Sequence, residues 1–495
     1  MTITVTIALF LLVLIATTVT VFVMLLRRIS DSVGLAPPTA KQWQEENPAQ
    51  SCALFRQLPQ LAERIAFRSL GVNHKTPVHL GRFDTDNSAD QSLSFLIKRE
   101  DLILHDYGGN KIRTLQHQLA ICEARRDKGE KAFLRLLSIG SGGSNQAVAT
   151  TVHARKLGYD GQAGGNVNTL WFEDAPDLDN TLNMLSVLSF SNVGFTHDWG
   201  NPTGGVRGLL GALRAAWTQR DIVPMMPGGN CPAGVLGQAG GLLELAEQIA
   251  DGVSPDVERI YVPIGSGCTV SGLIVGSVLA RHLGIPALQS DSFQIIACNV
   301  HQGAAKGDRL IRFHVNPWFS LMPLTITHSV LSACRALREL GGPDLTEQAK
   351  AFIKYHVDLR TREDVIGKYG THSDISRQLA KQFDLKGSVT NLTTGNQEKE
   401  LWICGHFVAK ALQPLLEDLK SQIQNQPNYM LWMTKSAIQP RGELDEWSRF
   451  QERSSAEVRQ WADEGQAQSH YRPGHVSTTH GTPEDYRCVM KKIVD

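Results

Sequence analysis

The sequence predicts an α/β protein built mainly on parallel sheet. Short apolar runs rich in β-branched and aromatic residues alternate with helical patterns, and glycine turns separate the two from about residue 51 to about residue 440. That alternation is what βαβ units produce, because their crossover helices cover the faces of a parallel sheet. The 495 residues are 42% hydrophobic and 20% charged, an ordinary globular composition with room for two or three domains.

In chain order, the first element is the uncharged run Ile3 to Leu26. It is long enough to cross a bilayer, which takes roughly 20 apolar residues, and predicts a membrane anchor over 1–28. A cleaved signal peptide is the rival reading, opposed by the missing basic stretch before the run and the missing small-residue cleavage site after it. Arg27 and Arg28 follow at once, and positive flanks favour the cytoplasmic side, so a single-pass protein with its bulk facing the cytoplasm is expected. Residues 29–50 are polar and proline-bearing and read as a linker. Strands are expected at "LSFLIKRE" (93–100), "AFLRLLSIG" (132–140), "RIYVPIGSG" (259–267), "FQIIACNV" (293–300) and "NYMLWMT" (428–434), with helices between them. Residues 441–495 turn polar and charged with few apolar positions to bury, which predicts a peripheral helix and a loose extension. No internal repeat is visible.

Lys+Arg and Asp+Glu balance at 49 each, and no basic, aromatic-interleaved stripe stands out, so no nucleic-acid partner is expected. The eight cysteines, Cys52, Cys122, Cys231, Cys268, Cys298, Cys334, Cys404 and Cys488, include no CxxC pair and indicate neither a disulfide framework nor a zinc site. His470, His475 and His480 are evenly spaced but lack carboxylate or cysteine partners, and no metal is expected there. In a body facing the cytoplasm, the Asn391-Leu392-Thr393 sequon carries no weight.

Three glycine loops remain, each at a helix start. "YVPIGSGCTVSGLIVGSVLA" (261–280) reads as strand, loop and helix, with backbone N–H groups converging as an anion cradle; a turn that merely needs glycine is the plainer reading. Val270 breaks the dinucleotide fingerprint and no Walker lysine follows, which favours a ligand with a single phosphate. "SIGSGGSNQAVATTVHARKLG" (138–158) repeats the arrangement with Ser144 and Asn145 at the helix start, either as capping residues or as groups facing a ligand at the strand ends. "YGGNKIRTLQHQLA" (107–120) sets Lys111 after a glycine pair. An exposed cap is the ordinary role for such a lysine, but a partly buried amine that loses its proton can attack a carbonyl.

Taken together, "IKREDL" (97–102), "YGGNKIRTL" (107–115), "GSGGSNQ" (140–146), "GNCPAGVLGQAGGLLELAEQI" (229–249) and "GSGCTVSGL" (265–273) resemble the pyridoxal-phosphate enzymes of the 1-aminocyclopropane-1-carboxylate deaminase and D-cysteine desulfhydrase family. The resemblance runs from about residue 55 to about 437, and "GKYGTHS" (367–373), "ICGHFVAKAL" (403–412) and "MLWMTKSA" (430–437) extend it more weakly. It implies the two-domain tryptophan-synthase-β-like architecture (fold type II) with parallel-rich open sheets. The large cofactor-binding domain would comprise 51–114 and 226–440, the inserted small domain 115–225, and pyridoxal 5'-phosphate would sit in the cleft between them.

Position by position, the resemblance implies that Lys111 binds the cofactor's aldehyde and later shuttles the substrate proton, and that Asn110 helps fix its loop. Gly265, Ser266, Gly267, Cys268 and Thr269 would hold the phosphate, Asn145 the phenolic oxygen and Thr434 the pyridine nitrogen. Ser144 would contact the substrate carboxylate and Tyr369 would line the pocket. A small amino-acid substrate, elimination or deamination to a keto acid and ammonia, and a homodimer follow from the same likeness.

Four positions depart from the pattern. Phe407 stands where the family has a pocket tyrosine and Val408 follows in place of Thr or Glu, Thr114 replaces a lysine near the phosphate, and Cys268 replaces a loop glycine. Phe407, Val408 and Thr114 keep open a cofactor-binding protein without turnover; a membrane-anchored binding protein that has lost the cofactor is a further reading, opposed by the intact Lys111 and Ser144-Asn145. The stretch 159–177 is also unlike a clean family strand.

Overall fold

The computed structural model describes residues 31–84, 92–161, 166–172, 178–195, 220–300, 321–361, 373–398, 401–422, 427–453 and 456–467, with Thr17 and Ile29. The expected anchor over 1–28 (apart from Thr17), Tyr369 and the three tail histidines lie outside them. Among the described residues no helix is long and apolar enough to cross a membrane.

Two sheets organise the chain. The small one has four parallel strands in the order β5-β4-β3-β6, from β3 (Arg135–Ser141), β4 (Asn166–Phe172), β5 (Val193–Phe195) and β6 (Ile222–Met225). The large one runs β11-β10-β1-β2-β12-β7-β8-β9. Its parallel half joins β2 (Ser92–Arg99), β12 (Tyr429–Met433), β7 (Arg259–Ile264), β8 (Gln294–Asn299) and β9 (Val357–Arg360). Its antiparallel half adds β1 (Val78–Asp84), β10 (Gly387–Asn391) and β11 (Gln397–Glu398). The five strands expected from the sequence are β2, β3, β7, β8 and β12, and the central β12 is buried throughout, as a strand covered on both faces must be.

Three stretches differ from expectation. The 159–177 stretch holds β4, paired with β3 from Arg135↔Asn166 to Ser141↔Phe172; its asparagines disguise a run in which Val167 and Trp171 are fully buried. The segment expected as a linker packs on the body: Gln42 Nε2 donates to Ala120 O at 2.8 Å and to Glu123 Oε2 at 2.6 Å, and Ser32 Oγ donates to Pro224 O at 2.6 Å. Beyond residue 440, two helices over Glu446–Arg453 and Ala456–Ala467 bury Phe450, Val458, Trp461 and Ala462. Four apolar residues at helical spacing suffice to dock an otherwise charged segment.

The helices that carry the site are α1 (Lys111–Asp127), α2 (Asn145–Ala154), α3 (Leu178–Leu188), α4 (Pro232–Ala250), α5 (Cys268–His282) and, near the end, α6 (Val408–Ser421). Under α1 lies a closed set of buried charges. Arg113 Nε donates to Glu100 Oε2 and its NH2 to Glu244 Oε1, each at 2.9 Å, and Lys98 Nζ donates to Glu244 Oε1 at 2.9 Å. Two cations meet two anions, so α1 is pinned to β2 and α4 without a net charge in the core.

Candidate active site

Lys111 opens α1 at the end of a turn that the rest of the fold holds closely. Gly109 has φ +94, and a Cβ there would stand 2.8 Å from Thr434 O, so the turn requires glycine. The glycine pair thus lets backbone approach the chain's own backbone after β12, where the sequence suggested approach to a ligand. Asn110 N donates to Thr434 O at 3.1 Å, and Asn110 Nδ2 donates to Thr269 Oγ1 at 2.6 Å, tying this turn to the start of α5. Thr434 is half-buried just past β12.

Lys111 Nζ donates to Gly228 O at 3.2 Å. Burial pulls the amine below the ordinary lysine pKa, and the sole opposing influence is the Cys268 thiol, with no carboxylate acting on it among the described residues. An amine so placed sheds its proton more readily than an exposed one.

The loop from Gly265 to Thr269 connects β7 to α5, and Gly267 carries its positive φ of +85 as the N-cap residue. No side chain caps this helix, so its first backbone N–H groups lack a side-chain acceptor, as an anion site requires. Cys268 already sits in the helix with an ordinary φ, which removes the steric objection to a side chain there. Its thiol is turned inward, 3.4 Å from Gly229 O, and burial pushes its pKa up to about 12. Thr114 is fully buried and accepts from Gln238 Nε2 at 2.9 Å, so it is a packing residue between α1 and α4.

The turn from Met226 to Cys231 completes this side, and sequence reasoning assigned it no role. Asn230 Nδ2 donates to Ser266 O at 2.7 Å, while Asn230 Oδ1 is buried with no hydrogen-bond partner. A Pro-Gly-Gly-Asn run between a strand and a helix is the signal that was available.

On the facing side, Ser144 is the N-cap of α2, its Oγ accepting from Ala147 N at 3.3 Å. Asn145 Oδ1 accepts from Tyr107 OH at 3.2 Å and from Asn183 Nδ2 at 3.0 Å, which orients the amide with its donor end away from both. The loop before it is held by α3, where Asn183 Nδ2 donates to Gly143 O at 2.8 Å and Asn180 packs against Gly143. Gln439 Nε2 in turn donates to Asn183 Oδ1 at 3.1 Å. Lys111, Asn110, Thr269 and Ser266 therefore form one linked group, and Asn145 with Ser144 a second. A cavity of about 660 Å³ opens between Arg99, Asp101, Trp402 and Ser436, and Lys111 is not among its lining residues.

No family model matches the chain. Two curated relatives, each described as a "putative 1-aminocyclopropane-1-carboxylate deaminase", come from Pyrococcus abyssi (strain GE5 / Orsay) and Pyrococcus furiosus (strain ATCC 43587 / DSM 3638 / JCM 8422 / Vc1). The first is 28% identical over 194 residues, 39% of this chain and 54% of the relative. The second is 29% identical over 196 residues, 37% of this chain and 52% of the relative. The chain spans about half the length of the curated relatives it matches. A solved structure described as an ACC deaminase homologue superposes with a TM-score of 0.50 at 17% identity, covering 81% of this chain and 98% of that one. The fold is thus the α/β, parallel-rich arrangement of that homologue, and the likeness read from the loop motifs recurs in both kinds of comparison.

Proposed function

We propose that this protein binds pyridoxal 5'-phosphate through Lys111 and acts as a lyase or deaminase of small amino acids, releasing a keto acid and ammonia in the manner of a D-cysteine desulfhydrase. The observation that carries this reading is the Lys111 amine: desolvated, with no carboxylate acting on it among the described residues, and beside the uncapped N-terminus of α5. The residues fit a phosphate-bearing aldehyde. A Cβ on Gly228 would run into the Ser266 hydroxyl and stand 3.7 Å from Lys111 Nζ, so the glycine keeps a cradle open beside the amine. The buried Asn230 Oδ1 is a further polar atom awaiting a donor.

Gly265, Ser266, Gly267, Cys268 and Thr269 would hold the phosphate with backbone N–H groups, Asn145 would donate its amide to the phenolic oxygen, and Thr434 would meet the ring nitrogen. When bound, pyridoxal 5'-phosphate supplies an electron sink for the pair left at Cα. Lys111, its pKa lowered by burial, would take the Cα proton and return it. Ser144 and its loop would orient the substrate carboxylate, and Tyr369 is carried as a pocket residue on resemblance alone. The run Ile3 to Leu26 supports a single-pass anchor with the body facing the cytoplasm, and a homodimer is part of the same reading.

The test is an absorption spectrum of the purified chain with and without borohydride, beside Lys111→Ala. A near-visible band that borohydride removes, absent in Lys111→Ala, is expected, with the reduced adduct on Lys111 by mass spectrometry. Keto-acid release from a panel of D- and L-amino acids then assigns the substrate. A chain that stays colourless with added cofactor overturns the reading. Phe407 favours a second one, binding without turnover, in which the band forms and no amino acid is consumed.

A further inference from the structure

The segment after β12 joins the two halves of the site. Thr434, just past that strand, accepts from Asn110 N in the Lys111 turn, and a few residues further on Gln439 reaches α3. Gln439 is 8% exposed, and its Nε2 lies 3.1 Å from Leu182 O, 3.1 Å from Asn183 Oδ1 and 2.6 Å from Ser186 Oγ. Past the end of α3 the same segment holds on: Gly442 N donates to Ser189 Oγ at 2.7 Å, Leu444 N to Ser189 O at 2.9 Å and Arg449 Nη1 to Phe190 O at 2.9 Å. A stretch that leaves the large sheet therefore clasps a helix of the small one. The family likeness stops at about residue 437 and assigns none of these contacts.

An amide has a donor end and an acceptor end, and its partners decide which way round it lies. Leu182 O can only accept, so Gln439 must turn its nitrogen toward α3. Asn183 meets that nitrogen with Oδ1 and points Nδ2 the other way, to Gly143 O at 2.8 Å and Asn145 Oδ1 at 3.0 Å. Asn145 Oδ1 takes a second donor, Tyr107 OH at 3.2 Å, and Nδ2 is the end directed away from both. Three amides thus run head to tail from one backbone carbonyl, and Gly143 O holds the middle one in the same sense.

We infer that Gln439 is a positioning residue of this site: acting through Asn183, it fixes Asn145 with its N–H groups toward the cofactor's phenolic oxygen and ties that contact to Thr434. The inference rests on the cofactor reading above. A donor facing that oxygen favours its ionised form, so the sense of the Asn145 amide sets how readily the oxygen gives up a proton. What Gln439 contributes is polarity, which a substitution of the same shape can reverse.

The test is a pH titration of the near-visible band of the holoprotein, whose wavelength reports the protonation of the phenolic oxygen. Gln439→Glu keeps the shape and, above about pH 8, puts a charged acceptor where the donor stood. It drives Asn183 and then Asn145 to turn round, and the transition should move to higher pH by about one unit, the scale of one hydrogen bond lost by an ionised group. Asn183→Asp keeps the Gln439 contact and reverses only the step to Asn145, so it should give the same shift even where Gln439→Glu is too unstable to purify. Gln439→Met removes the donor without reversing it, and because Gly143 O still holds Asn183 the shift should stay below about 0.3 unit. Two controls separate polarity from charge and from stability. Ser186→Asp sets a carboxylate beside the same nitrogen with the amides unreversed, and Arg449→Met loosens the clasp outside the amide chain; both should leave the transition near that of the parent, the second with a lower melting temperature. A parent-like titration in Gln439→Glu or Asn183→Asp, or a shift of equal size in the controls, overturns the inference. A parent chain that never develops the borohydride-sensitive band overturns the cofactor reading instead.

Discussion

Lys98 Nζ ends on three acceptors, Glu244 Oε1 at 2.9 Å, Gln248 Oε1 at 2.6 Å and Thr76 O at 2.8 Å, whereas Lys111 Nζ reaches one backbone carbonyl, Gly228 O at 3.2 Å. Burial lowers the pKa of both amines. At Lys98 two carboxylates, Glu244 and Glu100, oppose that fall; at Lys111 the opposition comes, among the described residues, from a thiol alone. The same residue type therefore serves as a structural cation in one place and as a candidate nucleophile in the other. Partners decide which role a buried lysine takes.

The largest effect that would test this contrast is at Lys111. Lys111→Ala should lower amino-acid turnover by about 10³-fold through loss of the proton-transferring amine, with the melting temperature of the apo-protein little changed. A large loss of stability instead would make Lys111 structural and break the contrast. Glu244→Gln should do the reverse, costing about 3–5 kcal/mol in urea unfolding because it strands Lys98 and Arg113 in the core.

The same substitution carries a pH signature. Burial works to raise the Glu244 pKa, but the Arg113 and Lys98 charges outweigh it and lower the native-state value to about 2 from an ordinary 4.5. Its contribution is therefore present above about pH 4.5 and lost as pH falls toward about 2. Stability of the parent protein should decline across that window, and Glu244→Gln should show a shallower decline.

Smaller effects sharpen the comparison at the turn itself. Gly109→Ala, at φ +94 and crowded by Thr434 O, should cost about 1–3 kcal/mol and weaken cofactor binding together with stability. Cys268→Ala should cost about 1 kcal/mol and leave the cofactor band in place, because the thiol packs inward against Gly229. Loss of the band in Cys268→Ala would move that side chain from packing to binding.

Some of this was legible in one dimension. The strands β2, β3, β7, β8 and β12 announce themselves as apolar runs, since a strand buried on both faces has no polar alternation to hide it. Lys111, Ser144, Asn145 and the Gly265 to Thr269 loop stood out because glycine-rich turns at helix starts are local features, set by residues adjacent in sequence. The strand β4 was obscured by its asparagines, and the helices after residue 440 by their charge. Their burial depends on partners far away in the chain.

The sequence by itself determined the alternation of strands and helices, the glycine turns and the presence of a lysine beside them, because each depends on backbone conformation within a few residues. Only the tertiary structure decided what that lysine meets. Whether an amine faces Glu244 or Gly228 O, whether Cys268 turns inward, and whether Gln439 reaches Asn183 are outcomes of packing between distant segments. Charge pairing acts through a few ångströms of space, and sequence separation carries almost no information about that distance.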